Sequence, residues 1–146
     1  MSGALFEFTV RKRLDEPFEA VRESVSAALG CEFREDKFRG MRVHVTEILG
    51  MYVGLFGWQG RDRQPIARMD TDTKDKRLFM RPDGSVVDVD FIDLSAGIIT
   101  LLEARGAGLW YVPTREDTAA EQAYGYEVER RYTLTEDDVR RLEAGE

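Results

Sequence analysis

The hydrophobic residues of this chain change their period along the sequence, and that change limits the fold more than any other feature. Between residues 32 and 81, apolar side chains recur at every second position, which is typical of strands with one buried face. In residues 18–29 and 91–102, by contrast, the apolar side chains recur at every third or fourth position, which is the spacing of a helix. Because the strands follow one another without helices between them, we predict an α+β fold: an antiparallel, curved meander sheet with about three to four helices packed on one face.

Short strands are predicted along the first two thirds of the chain. They cover residues 5–10, 41–45, 52–58, 66–70 and 78–81. Residues 11–13 are expected to lead into a turn. A tight hairpin is expected at Asp83 and Gly84, since glycine accepts the positive φ that such turns require. Four glycines, at positions 50, 54, 57 and 60, interrupt or flank the strand at 52–58, and we interpret them as sites of curvature.

Two helices are marked by residues at their ends. The first is expected to begin at Asp15 as N-cap and to stop at Gly30. The second is expected to use Asp88 or Asp90 as its cap and to end before Gly106. Its apolar stripe consists of Phe91, Leu94, Ile98, Leu101 and Leu102. This stripe predicts that the second helix is the most buried one.

The last third of the chain continues with short elements. Residues 109–112 are predicted to form a strand that ends at Pro113. Thr114 and Asp117 have the spacing of a capping box, with Asp in place of Glu or Gln, so a helix is expected to about residue 123. The remaining predictions are an edge strand over 126–132 and a final helix from Thr135.

Length and composition predict a single domain over residues 1–146. A chain of 146 residues with 42% hydrophobic residues can bury an ordinary core. The one cysteine, Cys31, cannot form an intramolecular disulfide, and neither a secretory signal nor an apolar run long enough for a membrane span is found. The expected location is cytoplasmic, with no membrane partner.

The sequence offers little equipment for catalysis, so no catalytic residue and no cofactor are predicted. His44 is the one histidine, and it would need Cys31 or a serine such as Ser95 to meet it in space. Asp70 and Asp72 begin like a calcium loop, but Lys74 stands where an oxygen ligand belongs, so no metal site is predicted. The aspartates at 88, 90 and 93 are expected to cap a helix.

The acidic residues are concentrated at one end of the chain, whose net charge is −7. Residues 1–90 carry 15 basic and 16 acidic side chains, whereas residues 91–146 carry 6 and 12. Such charge disfavours nucleic acid and favours a basic protein partner. Aromatic residues accompany the acidic ones, a composition typical of binding surfaces. The predicted partner-binding residues are Trp110, Tyr111, Glu116, Asp117, Glu121, Tyr124 and Tyr126.

Residues 106–117, which read GAGLWYVPTRED, resemble a stretch found in small uncharacterised bacterial proteins. As a small acidic α+β domain, the chain is also similar in kind to immunity proteins that neutralise polymorphic toxins. That resemblance implies a non-catalytic protein-binding domain, an immunity or antitoxin-type inhibitor that occludes a basic toxin.

Two alternatives remain open from the sequence. The first is a small enzyme or ligand-binding protein with a pocket in the curved sheet, drawing on Trp58, His44 and the carboxylates at 88–93. The second is a homo-oligomer that associates through the edge strand at 126–132.

Overall fold

The computed structural model describes residues 3–72, 82–85 and 89–123, without the side chains of residues 3, 4, 89 and 90. The fold of this part is α+β, with an open antiparallel sheet of five strands, which confirms the predicted class and strand direction. Three α-helical segments occur among the described residues: α1 (Phe18–Leu29), α2 (Ser95–Ala104) and α3 (residues 115–123). In the same ranges, no helix is long and apolar enough to cross a membrane.

Among the residues that the structure describes, seven strands form two sheets. Their bounds are β1 (Gly3–Glu7), β2 (Thr9–Arg13), β3 (Arg34–Phe38), β4 (Met41–Ile48), β5 (Met51–Gln59), β6 (Pro65–Asp72) and β7 (Val89–Asp93). The five-stranded sheet has the order β2-β6-β5-β4-β3, while β1 and β7 form a separate parallel ribbon. The predicted strands at 41–45, 52–58 and 66–70 are therefore confirmed. The predictions at 78–81, 126–132 and from Thr135 lie outside the described residues.

Residues 11–13, which were expected to lead into a turn, are the last residues of strand β2, and bends follow at Asp15 and Glu16. Arg11 and Lys12 are both buried there, and a buried charge is strongly destabilising unless it is paired with an opposite charge. The Lys12 Nζ atom lies 3.1 Å from Asp15 Oδ1 and 3.4 Å from Glu16 Oε1. Asp15 therefore pairs with Lys12, and the N-cap position of α1 belongs to Pro17.

Helix α1 ends as its sequence predicts. Gly30 adopts the left-handed conformation, with φ of 65°, and its backbone N–H donates to the Ser26 carbonyl. The buried side chains of α1 are Val21, Val25 and Ala28, and they pack against the sheet in the larger core.

The second predicted helix begins later than its apolar stripe suggested. Phe91 belongs to strand β7, which pairs with β1, and α2 starts only at Ser95. The predicted caps at Asp88 and Asp90 are wrong, since Asp93 accepts hydrogen bonds from the Ser95 backbone N–H and hydroxyl. Phe91 is therefore exposed and does not belong to the buried face of α2, whereas Leu102 of the same stripe is fully buried and Leu94 and Ile98 pack against the larger core.

The five-stranded sheet buries side chains on both of its faces. The first face packs against α1 and α2, and its residues include Val10, Val53, Leu55, Ala67 and Met69. The second face contains an aromatic cluster of Phe38, Tyr52, Phe56 and Trp58 with Ile66. Helix α3 contacts this second face, because the Trp58 indole N–H donates to the Glu121 carbonyl. The expectation that all helices share one face is therefore not confirmed.

The capping box at the start of α3 is present as predicted. The Thr114 backbone N–H donates to Asp117 Oδ2 at 2.9 Å, and the Asp117 N–H donates to Thr114 Oγ1 at 3.1 Å. We expect Thr114→Ala to lower the free energy of unfolding by about 1 kcal/mol, the usual value of an N-cap. Urea denaturation of the variant beside Thr118→Ala, which changes a threonine one turn later, would measure this; equal losses in the two would contradict the cap's importance.

Candidate functional site

The second face carries a cluster of four charged residues, the buried Arg11, Asp70 and Glu121 and the partly buried Arg68. The side chains of Arg11, Asp70 and Glu121 are at most 4% exposed. Arg11 Nη1 donates to Asp70 Oδ1 at 2.7 Å, and Arg11 Nε lies 2.9 and 3.1 Å from the two oxygens of Glu121. Two positive and two negative charges thus offset one another, which burial requires.

Arg68 lies between this cluster and the aromatic residues of β5. Its guanidinium carbon is 5.0 Å from the centre of the Phe56 ring and 4.9 Å from that of Trp58. Its Nη2 donates to Asp70 Oδ2 at 3.0 Å. Its Nε is buried 3.4 Å from Glu121 Oε1 but makes no hydrogen bond. Arg68 is therefore held by both ring contacts and ion pairs.

The two carboxyl groups of the cluster respond differently to burial. Burial by itself raises the pKa of Asp70, but Arg11, Arg68 and the Thr9 hydroxyl outweigh it, so the pKa of Asp70 is lowered. For Glu121, burial is the largest influence and raises the pKa, although the same two arginines act against it. Asp70 thus holds its charge firmly, while the charge of Glu121 depends on the arginines beside it.

Helix α3 is fixed to the sheet by the charges that the sequence places in the acidic third. Glu121 binds the two arginines of the cluster, and its carbonyl accepts the Trp58 N–H at 2.9 Å. At the start of the helix, Arg61 Nη2 lies 3.3 Å from Glu116 Oε2 and its Nη1 lies 3.7 Å from Asp117 Oδ1. Part of the acidic excess is therefore neutralised within the chain.

A polar cleft of about 480 Å³ opens beside the buried cluster. Arg39, from the turn between β3 and β4, reaches over it, with Nη2 donating to the Thr71 carbonyl at 3.0 Å. The rest of the lining comes from the sheet, the ribbon and the region around α3. These residues are Glu7, Phe8, Thr9, Arg11, Arg68, Asp70, Thr71, Asp93, Pro113, Thr118 and Gln122. The cleft suits charged or hydrogen-bonding groups better than an apolar ligand.

The structure places five of the seven predicted partner-binding residues, in three different settings. Trp110 and Glu121 are buried, so their side chains hold the fold together and present no surface to a partner. Tyr111 is half-buried, and its backbone exchanges two hydrogen bonds of 2.8 Å with Arg11. Glu116 and Asp117 lie together at the start of α3 beside Arg61. Tyr124 and Tyr126 lie outside the described residues.

Two of the residues suggested for an enzyme site, His44 and Trp58, lie on opposite faces of the sheet. His44 stacks on Phe18 with ring centres 5.6 Å apart, and burial, followed by the charge of Arg22, lowers its pKa. It is aligned with Leu55 of β5, so it faces α1, whereas Trp58 points to the opposite face. Burial raises the pKa of the Cys31 thiol, which disfavours the reactive thiolate. Within the described ranges, no three His, Cys, Asp or Glu side chains are grouped to hold a metal ion.

Sequence reasoning did not identify Arg11, Arg39 or Arg68 as parts of a site. A signal was present in β6, where Ile66, Arg68 and Asp70 alternate with buried apolar residues and therefore share one face. Opposite charges two positions apart on a covered face indicate a buried ion pair. The register of β2 against β6 then places Arg11 directly beside Arg68.

Comparison with models of known families, with curated proteins and with solved structures finds no match to this chain. The resemblance of residues 106–117 to small bacterial proteins, and the likeness in kind to immunity proteins, stay predictions.

Proposed function

We propose that this chain is a non-catalytic protein-binding domain of the immunity or antitoxin kind, which acts by occluding a basic partner. It would work without turnover, as a surface that fits and covers the partner's own site. The net charge of −7 supports a basic partner, because opposite charge speeds association and disfavours other proteins.

The observation that carries the proposal is the exposed segment just before α3. Leu109 and Val112 are 72% and 47% exposed, although both are apolar. Between them, Trp110 is buried, and its indole N–H donates to the Ala107 carbonyl at 2.9 Å. The two hydrogen bonds between Tyr111 and Arg11 fix the backbone on the other side. Apolar side chains on an anchored backbone lose little entropy on binding, which is typical of a docking surface.

The charges at the start of α3 do not by themselves explain a basic partner. Glu116 and Asp117 lie beside Arg61, and Arg115 is exposed next to them. These four charges sum to zero, so this segment supplies contact area more than attraction. The acidic excess that would steer the partner must act from elsewhere on the chain.

The test is to purify the tagged chain from cells of its source organism. We expect a basic protein to co-purify near one-to-one at low salt, and to be released as salt rises. The double variant Leu109→Ser with Val112→Ser is expected to retain at least about tenfold less partner than the parent, because a few exposed anchor residues carry most of the binding energy.

Leu49→Ser is the matched control, because Leu49 is an equally exposed leucine in the turn between β4 and β5. It should retain the partner in full, and both variants should unfold at the temperature of the parent. No partner at low salt, or full retention by the double variant, would overturn the proposal.

A further inference from the structure

The ribbon of β1 and β7 is an unusual element for an exposed position. Its two strands are parallel, with Leu5 beside Phe91, Phe6 beside Ile92, and Glu7 beside Asp93. Their pairing continues one residue further, where the Leu94 N–H donates to the Glu7 carbonyl at 2.8 Å. Parallel strands in proteins are almost always covered on both faces, and a pair of strands, which is what the described residues contribute to this ribbon, is by itself marginally stable in water.

Both faces of this ribbon carry exposed apolar side chains. Phe6 and Ile92 are neighbours on one face and are 42% and 43% exposed. Phe91 lies on the other face and is 55% exposed. Three large side chains close together on such a short element exceed the scattered exposure that is normal on a surface. The ribbon therefore has the surface of an element that another molecule covers.

The carboxylates at the end of the ribbon indicate the charge of that molecule. Glu7 and Asp93 are directly opposite on adjacent strands, an arrangement that like charges disfavour. Asp93 accepts hydrogen bonds from Ser95, and neither carboxylate has a cationic partner among the described residues. Both line the cleft, whose own arginines are already paired with Asp70, Glu121 and Asp72. A lysine or arginine from outside would relieve this repulsion.

We propose that the ribbon is a second contact for the basic partner, which covers Phe6, Phe91 and Ile92 with apolar groups and places a lysine or arginine against Glu7 and Asp93. This inference rests on the proposed function, because it needs a basic protein partner. A second copy of the chain fits less well: it would bring two more carboxylates to the same end, and each copy carries a net charge of −7.

The experiment replaces Phe6, or in a separate variant Ile92, by the photo-cross-linking residue p-benzoylphenylalanine in the full chain within source cells. Both positions are expected to cross-link to the same basic protein, through a peptide that contains lysine or arginine. The same residue at position 49 is the control and should give no such product. Glu7→Lys should lower the cross-linking yield at position 92 at least about fivefold, as expected for reversal of a complementary charge.

Glu23→Lys, the same charge change on an exposed position of α1, should leave the yield unchanged. Cross-links to the chain itself, to an acidic protein or to nothing at positions 6 and 92 would overturn the inference. If the partner is still captured and still depends on Leu109 and Val112, the proposed function stands and only the ribbon contact fails. If no partner is captured at all, both fail together.

Discussion

Replacing Glu121 by alanine is expected to lower the free energy of unfolding by about 3–5 kcal/mol, the range found when one member of a buried ion pair is removed. The variant would leave the buried Arg11 and the partly buried Arg68 with Asp70 as their one carboxylate in the cluster. It would also remove the side chain that fixes α3 to the sheet. Urea denaturation followed by tryptophan fluorescence measures the loss, because Trp58 contacts Glu121.

Glu116→Ala is the matched control for this measurement. Glu116 belongs to the same helix and pairs with Arg61 at the surface, so its removal should cost no more than about 0.5 kcal/mol. Adding Arg11→Met to Glu121→Ala restores the charge balance of the cluster, and the two changes should couple by at least about 1.5 kcal/mol. If Glu121→Ala costs no more than Glu116→Ala, the cluster does not hold α3 in place.

Replacing Phe38 by alanine is expected to cost about 3–5 kcal/mol, because the ring is buried in the second core. Phe38 lies directly over Gly54 of β5, and a Cβ atom at that glycine would come within 2.7 Å of the ring. Its ring centre is 5.9 Å from that of Tyr52 and 6.2 Å from that of Phe56. Denaturation of the variant, with its free energy compared with that of the parent, tests this packing.

The contact between Phe38 and Gly54 predicts a reversal of sign. Gly54→Ala alone should cost about 1–3 kcal/mol through overpacking. In the Phe38→Ala background the same change should be neutral or stabilising, because the obstructing ring is gone and alanine suits a strand better than glycine. Gly57→Ala is the control, since a Cβ there meets no atom within 4 Å. Equal effects of the two glycine changes in the parent would contradict the close contact.

The elements that the sequence predicted well depend on local chemistry. Gly30 ends α1 because the left-handed conformation costs glycine little, and Thr114 with Asp117 caps α3 through hydrogen bonds over three residues. The glycine interpretation was less complete: curvature was expected, whereas Gly54 makes room for the Phe38 ring. Such a contact joins residues that the sequence places 16 positions apart.

The elements that the sequence predicted poorly depend on contacts between distant residues. Phe91 fits a helical stripe by spacing, but pairing with Leu5 across the chain makes it part of a strand. Arg11 was expected only to lead into a turn, yet it is buried in strand β2, where Asp70 and Glu121 neutralise its charge. Glu121 likewise looks like a surface carboxylate, because its partners Arg11 and Arg68 lie far from it in the sequence. Burial of a charged side chain can be predicted only when its ion-pair partners are known, and here those partners belong to other elements of the fold.

The most direct test of the protein-binding function is amide hydrogen exchange of the chain alone and in complex with the basic protein that it captures. Binding should slow exchange in residues 108–117 and in the ribbon strands, while the first-face helix α1 keeps its exchange rates. Slowed exchange confined to α1, or no change in any segment, would contradict a partner that docks on the anchored segment around Trp110.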